Sequence, residues 1–578
     1  MHQRLLRCLI LLFLVSLGSA CGGGGGGGAS PDPTQNPPPP APPPPTEPVP
    51  PLPAMNALDS ASRLASRATF GMDYGAIEQL AAQGETAWLE QQFSLSPGLH
   101  EPIVNELLAR QAAGDFAAIE QTRKNIQFAF RRLAWWQQAV YAQDQLRQRV
   151  ALALSEILVV SDEMDVLAVY PHALSNYYDT LLTHAFGNYR DLLRAITLHP
   201  AMGVYLSHVN NAKANPATNT FPDENYAREV MQLFSIGLFE LREDGSEAIG
   251  SNGEPIPTYD NDDIREFARI FTGLSYGGDG AFFGRRLPEF RQPMRMFGAF
   301  HDPGEKRLPD GTVLPAGQDG LQDIEAAVDF LFNHPNVGPF IGRQLIQRLV
   351  TSNPSPAYVA RVSAAFNGAD GGVRGDMQAV LRAILLDPEA LAQPGSYPAM
   401  GKLREPMLRA LSLLRQFGVS SPDGFYASSG YFLQDLLRQH PLSAPSVFNF
   451  FLPAHAPVGE IAAAGMVAPE FQITNSSSIV AISNLVDIVL YGGIVNDLSI
   501  SPFQKAQLDL DEYLALANDH EALLDKLDTV MTYGTLSADT RSSILASLSA
   551  LDALDDPRFH VTTAVYLMFT SPDYAVEL

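Results

Sequence analysis

The chain has 578 residues, and its formal net charge at pH 7 is −25. A chain this acidic is a poor partner for the phosphate backbone of a nucleic acid, so the composition argues against nucleic-acid binding. Cys8 and Cys21 are the only cysteines. The region after residue 53 therefore has no disulfide, no thiol nucleophile and no cysteine-based metal site.

The first twenty residues have the organisation of a bacterial lipoprotein signal peptide. Arg4 and Arg7 give a basic start, and the apolar run Cys8–Leu17 that follows is too short to span a membrane, which takes roughly 20 apolar residues. The small residues before Cys21 resemble a lipobox, although Gly18 stands where that pattern prefers leucine. We predict a signal peptide over residues 1–20 and lipidation of Cys21; the alternative is ordinary signal cleavage that leaves this thiol free.

Residues 21–53 are predicted to be a disordered tether. Gly22–Gly28 is an unbroken glycine run with maximal backbone freedom, and proline dominates residues 31–53. Proline-rich chain extends by about 3.1 Å per residue, so this stretch could hold a domain about 70 Å from a membrane anchor. Because Gly22 is not the aspartate that retains lipoproteins at the inner membrane, we expect an exported protein, lipid-anchored in the outer membrane on its periplasmic face or at the cell surface.

Residues 54–578 are predicted to form a large, mainly α-helical globular domain, with room for two packed sub-domains divided near residues 390–405. Apolar residues recur there at three- and four-residue spacing, which is the period of an amphipathic helix. The predicted helices are Leu58–Ala68, Tyr74–Ala82, Thr86–Phe93, Ala117–Tyr141, Gln143–Val159, Leu174–Phe186, Asn225–Ile236, Asp262–Thr272, Leu321–Phe332, Val337–Val350, Tyr358–Phe366, Met377–Leu386 and Pro406–Phe417.

Two stretches between these helices have a different pattern. Phe239–Tyr259 contains two tight-turn sequences, which predict a small β-hairpin excursion. Residues 277–320 are rich in glycine and proline but also contain scattered aromatic residues, including Phe282, Phe283 and Phe300. Because these side chains need burial, we predict a long ordered loop, a kind of segment that often carries function.

The first candidate site is the helix that begins near Asn225. Its polar arc contains Glu224, Asn225, Arg228 and Glu229, opposite an apolar face that includes Tyr226. One interpretation is a solvated face with a Glu224–Arg228 ion pair that contributes roughly a few tenths of a kcal/mol. The other is a helix that presents two carboxylates, an amide and a guanidinium to a cleft, with Asn225, Arg228 and Glu229 as binding residues.

The second candidate site is the loop segment His301–Lys306. It places an imidazole, two carboxylates and an amine within six residues, with Asp302 and Lys306 as further binding candidates. These groups suffice for general acid–base chemistry or for two ligands of a metal ion. The alternative is a hydrogen-bond network that orders the loop.

Short motifs stand in a characteristic order from about residue 57 to the C-terminus. They are Arg63–Gly71, Leu146–Val150, Gly187–Leu193, His199–Met202, Glu224–Glu229, Phe271–Gly273, His301–Lys306, Ala444–Phe451 and Tyr566–Tyr574. Together they resemble the bacterial "domain of unknown function 1800" family.

This resemblance implies an exported, largely helical protein, and it transfers no catalytic role. Many members have a tryptophan- and histidine-rich stretch where this chain has Ala151–Leu158. The resemblance therefore implies no histidine metal site at that place. It adds weight to the Glu224–Glu229 helix and the His301–Lys306 loop as one shared site.

Two functions follow as hypotheses. The first is a cell-envelope binding or assembly module for a polymer, a peptide or another envelope protein. The second is a metal-assisted hydrolase of an extracellular substrate, in which Glu224 or Glu229, together with His301 and Asp302, holds a divalent ion and the remaining carboxylate acts as base. The catalytic candidates are Glu224, Glu229 and His301, and the metal candidates are Glu229, His301 and Asp302. Clustering of these side chains in the fold would favour the enzyme.

Overall fold

The fold was obtained as a computed structural model that describes residues 55–397, 399–421, 425–430, 436–501, 504–554 and 556–578. The predicted signal peptide over residues 1–20, the predicted tether over residues 21–53 and Cys21 lie outside the described residues.

Helices make up most of the described chain, and the short strands pair only in small antiparallel ladders. The helices are α1 Ala57–Ala68, α2 Tyr74–Gln83, α3 Glu85–Ser94, α4 Glu101–Ala113, α5 Ala117–Glu120, α6 Phe130–Tyr141, α7 Gln145–Ser155, α8 Asp165–Val169, α9 Pro171–His184, α10 Tyr189–Thr197, α11 Pro200–Tyr205, α12 Asn225–Gln232, α13 Asn261–Ile270, α14 Gly320–Asn333, α15 Val337–Leu349, α16 Pro356–Phe366, α17 Met377–Leu385, α18 Pro406–Phe417, α19 Glu460–Ala463, α20 Ser476–Asp487, α21 Asp511–Leu514, α22 His520–Leu527, α23 Ala538–Ser549, α24 Pro557–Thr570 and α25 Pro572–Ala575. The strands are β1 Leu274–Ser275, β2 Arg295–Met296, β3 Lys306–Arg307, β4 Val313–Leu314, β5 Lys402–Leu403, β6 Val419–Ser420, β7 Ile494–Val495, β8 Lys505–Leu508 and β9 Val576–Glu577, paired as β1–β2, β3–β4, β5–β9 and β6–β8–β7.

The prediction of a mainly α-helical fold is confirmed, and local sequence explains many helix starts. Asp260 caps α13 and forms a reciprocal capping box with Asp263. The single helix predicted over Ala117–Tyr141 is wrong, because the chain forms α5, a 3₁₀ turn and then α6. The break falls at Asn125, whose φ of 61° is left-handed and cannot continue a right-handed helix.

The predicted β-hairpin excursion over Phe239–Tyr259 is confirmed. Antiparallel bridges join Phe239 to Pro257, Leu241 to Glu247, and Ile249 to Pro255. The side chain of Asn336 fixes its base, since Nδ2 donates to the carbonyl oxygen of Phe239 at 2.8 Å and Oδ1 accepts from the Leu241 N–H at 2.8 Å.

The segment 277–320 is an ordered loop, as predicted. The β1–β2 ladder and the β3–β4 ladder order it, and Phe290 and Met294 are buried. The expectation that its aromatic residues are all buried is wrong, because Phe282 and Phe300 are exposed. One face of the Phe300 ring is covered by Phe283 of the same loop, with ring centroids 3.9 Å apart, so this pair packs within the loop.

One hydrophobic core runs through the described chain from α1 to α25. It contains Leu385 and Met407, on either side of residues 390–405, so apolar packing is continuous across that stretch. A second, smaller cluster lies around α4 to α6 and includes Val104 and Phe130. Within the described part of the chain, no helix combines the length and apolar character needed to cross a membrane.

Candidate functional site

His301 lies in a closed polar cluster with Asp323 and Lys306. Its Nδ1 is 2.9 Å from the carbonyl oxygen of Thr272, and its Nε2 is 3.0 Å from Oδ2 of Asp323. Asp323 is the fourth residue of α14, which begins at Gly320, and it is 0% exposed. Both ring nitrogens of His301 therefore face oxygen acceptors, and neither is left over for a metal ion.

Lys306 completes this cluster from β3. Its Nζ donates to Oδ2 of Asp323 at 2.7 Å and to the carbonyl oxygens of Asp302 and Gly304 at 2.7 and 3.0 Å. Three acceptors thus satisfy the three donors of the ammonium, which is 2% exposed. The network connects the loop segment 301–306 to the first turn of α14.

Two glycines make room for the imidazole ring of His301. A Cβ on Gly320 would lie 2.9 Å from its Cγ, and a Cβ on Gly273, whose φ is +88°, would lie 3.0 Å from its Cβ. Two residues of the Phe271–Gly273 motif therefore position His301. Thr272 supplies the carbonyl acceptor for Nδ1, and Gly273, which has no Cβ, allows His301 to pack closely against the backbone.

The carboxylate of Asp302 is bound by Arg269 of α13, whereas the His301 cluster contacts only the backbone oxygen of Asp302, through Lys306. Arg269 donates from Nε to Oδ2 at 3.0 Å and from Nη2 to Oδ1 at 3.2 Å, and the Gly304 N–H donates to Oδ1 at 2.8 Å. Burial acts to raise the pKa of Asp302, but these hydrogen bonds outweigh burial, and the pKa lies below its ordinary value.

The polar residues of α12 divide into an exposed pair and a buried carboxylate. Arg228 Nη2 lies 3.3 Å from Glu224 Oε2 in a half-exposed ion pair, and Asn225 is half-buried. Glu229 is only 7% exposed, so the interpretation of the polar arc as a solvated face does not hold at this residue. Its Oε2 has no hydrogen-bond partner among the described residues, and burial raises the pKa of the Glu229 carboxyl.

Tyr205 and Tyr259, from other segments of the chain, interact with Glu229, and a helical wheel of α12 does not show these neighbours. Burial raises the pKa of both tyrosines to about 12, and the charge of Glu229 adds to the rise in each. Other segments of the chain therefore lie close to the polar side of α12 at Glu229, whereas Glu224 remains exposed to solvent.

The two predicted sites are neighbours that do not share a polar contact. In the described part of the chain, no hydrogen bond or ion pair joins Glu224, Asn225, Arg228 or Glu229 to the loop segment 301–306. The connection is indirect: the Asn211 backbone oxygen accepts from the Gly273 N–H at 2.8 Å, while its side-chain amide donates to the carbonyl oxygen of Asp223 at 3.2 Å.

An open cleft lies on another side of the long loop, with a volume of about 390 Å³. We name it the Tyr170–Tyr276 cleft. It is lined by Asp165, Val166, Val169, Tyr170, Val204, Val209, Tyr276, Arg286 and Pro288.

Aromatic contacts join the two tyrosines of the cleft. The ring of Phe290 packs on Tyr170 and Tyr276, at centroid distances of 5.7 and 6.2 Å. None of the residues predicted to form a site lines this cleft. The sequence did indicate the loop that supplies Arg286 and Pro288, but neither Tyr276, which lies just before that loop, nor the partner surface on α8 and around α11.

The described residues thus define a mainly helical protein in which a closed polar cluster fixes a long loop beside an open, largely apolar cleft. The chain belongs to the family described as "Protein of unknown function (DUF1800)", whose model matches residues 63–576. The resemblance inferred from the motifs is therefore confirmed. No curated protein and no solved structure matches the chain.

At least one of the motifs that suggested the resemblance has a structural role in this fold. In Leu146–Val150, Arg147 donates from Nη1 to the carbonyl oxygen of Leu182 at 3.0 Å, and Arg149 donates from Nη2 to that of Arg348 at 2.6 Å. Both arginines are buried and connect α7 to other helices. These hydrogen bonds join the motif to neighbouring helices, which gives it a structural role in helix packing.

Proposed function

We propose that the chain is an exported, lipid-anchored protein of the outer membrane that binds an extended segment of another envelope protein in the Tyr170–Tyr276 cleft. The observation that carries the proposal is the cleft itself. Its volume of about 390 Å³ lies in the range of ligand sites, about 300–1,000 Å³. The signal-peptide pattern and Cys21 support export and anchoring.

The chemistry of the lining favours a peptide over a polysaccharide. Four valines supply aliphatic surface, and the charged groups are limited to Asp165 and Arg286. A sugar polymer needs many hydrogen-bonding partners, whereas apolar side chains of a peptide gain by leaving water. The net charge of −25 favours a neutral or basic segment over an acidic one.

We favour this role over a metal-assisted hydrolase built on Glu224, Glu229, His301 and Asp302. A metal ion on His301 would have to displace Thr272 or Asp323, and one on Asp302 would have to displace Arg269. The nearby Lys306 ammonium would also repel a divalent cation.

A peptide library displayed on phage tests the cleft on the full chain. We expect selected peptides to be enriched in aliphatic and aromatic residues, and we expect Val169→Glu to weaken their binding more than about tenfold because it buries a carboxylate against apolar side chains. Val373→Glu is the matched control, since Val373 is exposed and does not line the cleft. Selected peptides that bind Val169→Glu as well as they bind the wild type would refute the proposed site.

Labelling cells with an alkyne fatty acid tests the anchor. We expect the wild type to take up the label and to fractionate with the outer membrane, and we expect Cys21→Ser to lose both properties. Cys8→Ser is the matched control, because it removes the only other cysteine. Equal labelling of the wild type and Cys21→Ser would refute lipidation at Cys21.

A further inference from the structure

Three separate segments bring two histidines and an aspartate together near the C-terminus. His520 is the first residue of α22, Asp552 begins a 3₁₀ turn after α23, and His560 lies in the first turn of α24. Oδ1 of Asp552 is 3.4 Å from Nε2 of His520 and 3.5 Å from Nε2 of His560. One ligand atom from each of the three residues lies within 4.8 Å of the others.

The buried histidine of this group has a nitrogen that is free to bind a ligand. His560 is buried, and its Nδ1 lies 2.9 Å from the carbonyl oxygen of Asp556, which fixes the ring proton on Nδ1. Its Nε2 therefore carries a lone pair, faces Asp552, and has no hydrogen-bond partner among the described residues. A histidine that donates from one nitrogen to a backbone carbonyl and offers the other is the usual arrangement of a metal ligand.

The spacing between the three ligand atoms also fits a metal ion better than it fits hydrogen bonds. The N···O distances of 3.4 and 3.5 Å exceed the usual hydrogen-bond range, which ends near about 3.2 Å. Ligand atoms at about 2.0–2.2 Å from a tetrahedral zinc ion are separated from each other by roughly 3.3 Å. The two N···O separations are close to that value, and the two histidine nitrogens lie within 4.8 Å of each other.

We infer that His520, Asp552 and His560 bind one divalent transition-metal ion of the zinc class. Two imidazoles and one carboxylate are ligands for such ions, whereas calcium and magnesium are bound by oxygen atoms. The Asp552 side chain is 62% exposed, so solvent reaches the cluster and water can fill the fourth position. The ion links α22, the 3₁₀ turn and α24, and it retains an exchangeable coordination position.

Metal binding is tested on the full chain without an affinity tag, stripped with a chelator and then titrated with Zn²⁺ alone. We expect one equivalent to bind and the melting temperature to rise, and we expect His520→Gln and Asp552→Asn each to weaken binding more than about tenfold. These two side chains are more exposed than that of His560, so their substitution leaves the packing of α24 in place.

His172→Gln is the matched control, because His172 pairs with Glu101 at 3.2 Å and belongs to no cluster of metal-ligating side chains among the described residues. We expect this variant to bind Zn²⁺ like the wild type. Substitution by Co²⁺ adds a spectroscopic readout, since a tetrahedral site gives intense visible absorption that His520→Gln should lose. The inference is overturned if the wild type takes up no stoichiometric Zn²⁺, or if His520→Gln and Asp552→Asn bind it as tightly as the wild type does.

Discussion

Asp323 is the residue whose removal tests the role of the His301 cluster most directly. It is 0% exposed, and its Oδ2 is the only carboxylate oxygen that the Lys306 ammonium contacts in the described structure. Asp323→Ala leaves that ammonium buried without its counter-charge and leaves Nε2 of His301 without an acceptor. Breaking a buried ion pair by removing one partner costs about 3–5 kcal/mol of unfolding free energy.

The expected change in melting temperature follows from this loss of unfolding free energy. At about 2.1 cal/mol/K per residue, a domain of about 520 residues has an unfolding entropy of roughly 1.1 kcal/mol/K. A loss of about 3–5 kcal/mol then lowers the melting temperature by about 3–5 °C. Differential scanning calorimetry of the full chain measures this shift, and hydrogen exchange shows whether amides of residues 298–319 lose protection.

Asp329→Ala is the matched control for this measurement. Asp329 lies on the same helix and pairs with Arg190 at 2.7 Å, but its side chain is 52% exposed. An exposed pair contributes less than about 1 kcal/mol, so its loss should lower the melting temperature by about 1 °C or less. We expect the double variant Asp323→Leu/Lys306→Met to recover the part of the loss that comes from the unpaired ammonium, because no buried ammonium remains, while Nε2 of His301 still lacks its acceptor. Equal melting of Asp323→Ala and Asp329→Ala would refute the reasoning.

Two further predictions concern pH. The folded-state pKa of Asp302 is lowered, so its stabilisation is present above the unfolded-state pKa and is lost as the pH falls through the folded-state value. Asp302→Asn should therefore cost about 1–2 kcal/mol at pH 7 and less at pH 2, and an equal difference in melting temperature at both pH values would contradict this. The folded-state pKa of Glu229 is raised, so its charge lowers the stability of the fold as the pH rises through that value. Glu229→Gln should therefore melt about 1 °C above the wild type at pH 8 and at the same temperature as the wild type at pH 4. A variant that melts below the wild type at pH 8 would show that the carboxylate has a stabilising partner.

Local sequence predicted the helices because their causes are local. Apolar spacing and N-cap residues lie within one segment, so α13 and α18 begin and end within a residue or two of their predicted bounds. The prediction of a single helix over Ala117–Tyr141 failed because the apolar spacing continues past Asn125, while the left-handed backbone of that residue interrupts the helix. The burial of Glu229 could not be predicted, because a helical wheel gives the direction of a side chain around the helix axis and does not tell which other segments cover the polar side of α12.

The partners of the candidate residues were beyond sequence reasoning because they depend on tertiary packing. Asp323 follows His301 by 22 positions and looks like an ordinary acidic residue in the first turn of a helix. His520 and His560 are 40 positions apart, with Asp552 between them on a separate turn. Only the packing of α22 and α24 brings them together, and no spacing rule for a metal motif covers such a distance.

A comparison of His301 with His560 shows what makes a histidine a candidate metal ligand. The His301–Lys306 segment looks like a site in the sequence, yet both nitrogens of His301 face acceptors, and Lys306 has no donor left over. His560 lies in no obvious motif, yet its Nε2 has no partner among the described residues. A titratable residue is a candidate ligand only when a lone pair remains after its packing is complete.

The closed cluster can still matter to binding, because it holds one end of the loop that supplies the cleft. Tyr276 follows β1, and the loop returns through β2 to His301, which the cluster fixes to α14. A loop residue contributes to a binding site only if the scaffold holds the segment in place. Asp323→Ala should therefore weaken peptide binding in the Tyr170–Tyr276 cleft at temperatures where the helices remain folded, although Asp323 does not line it.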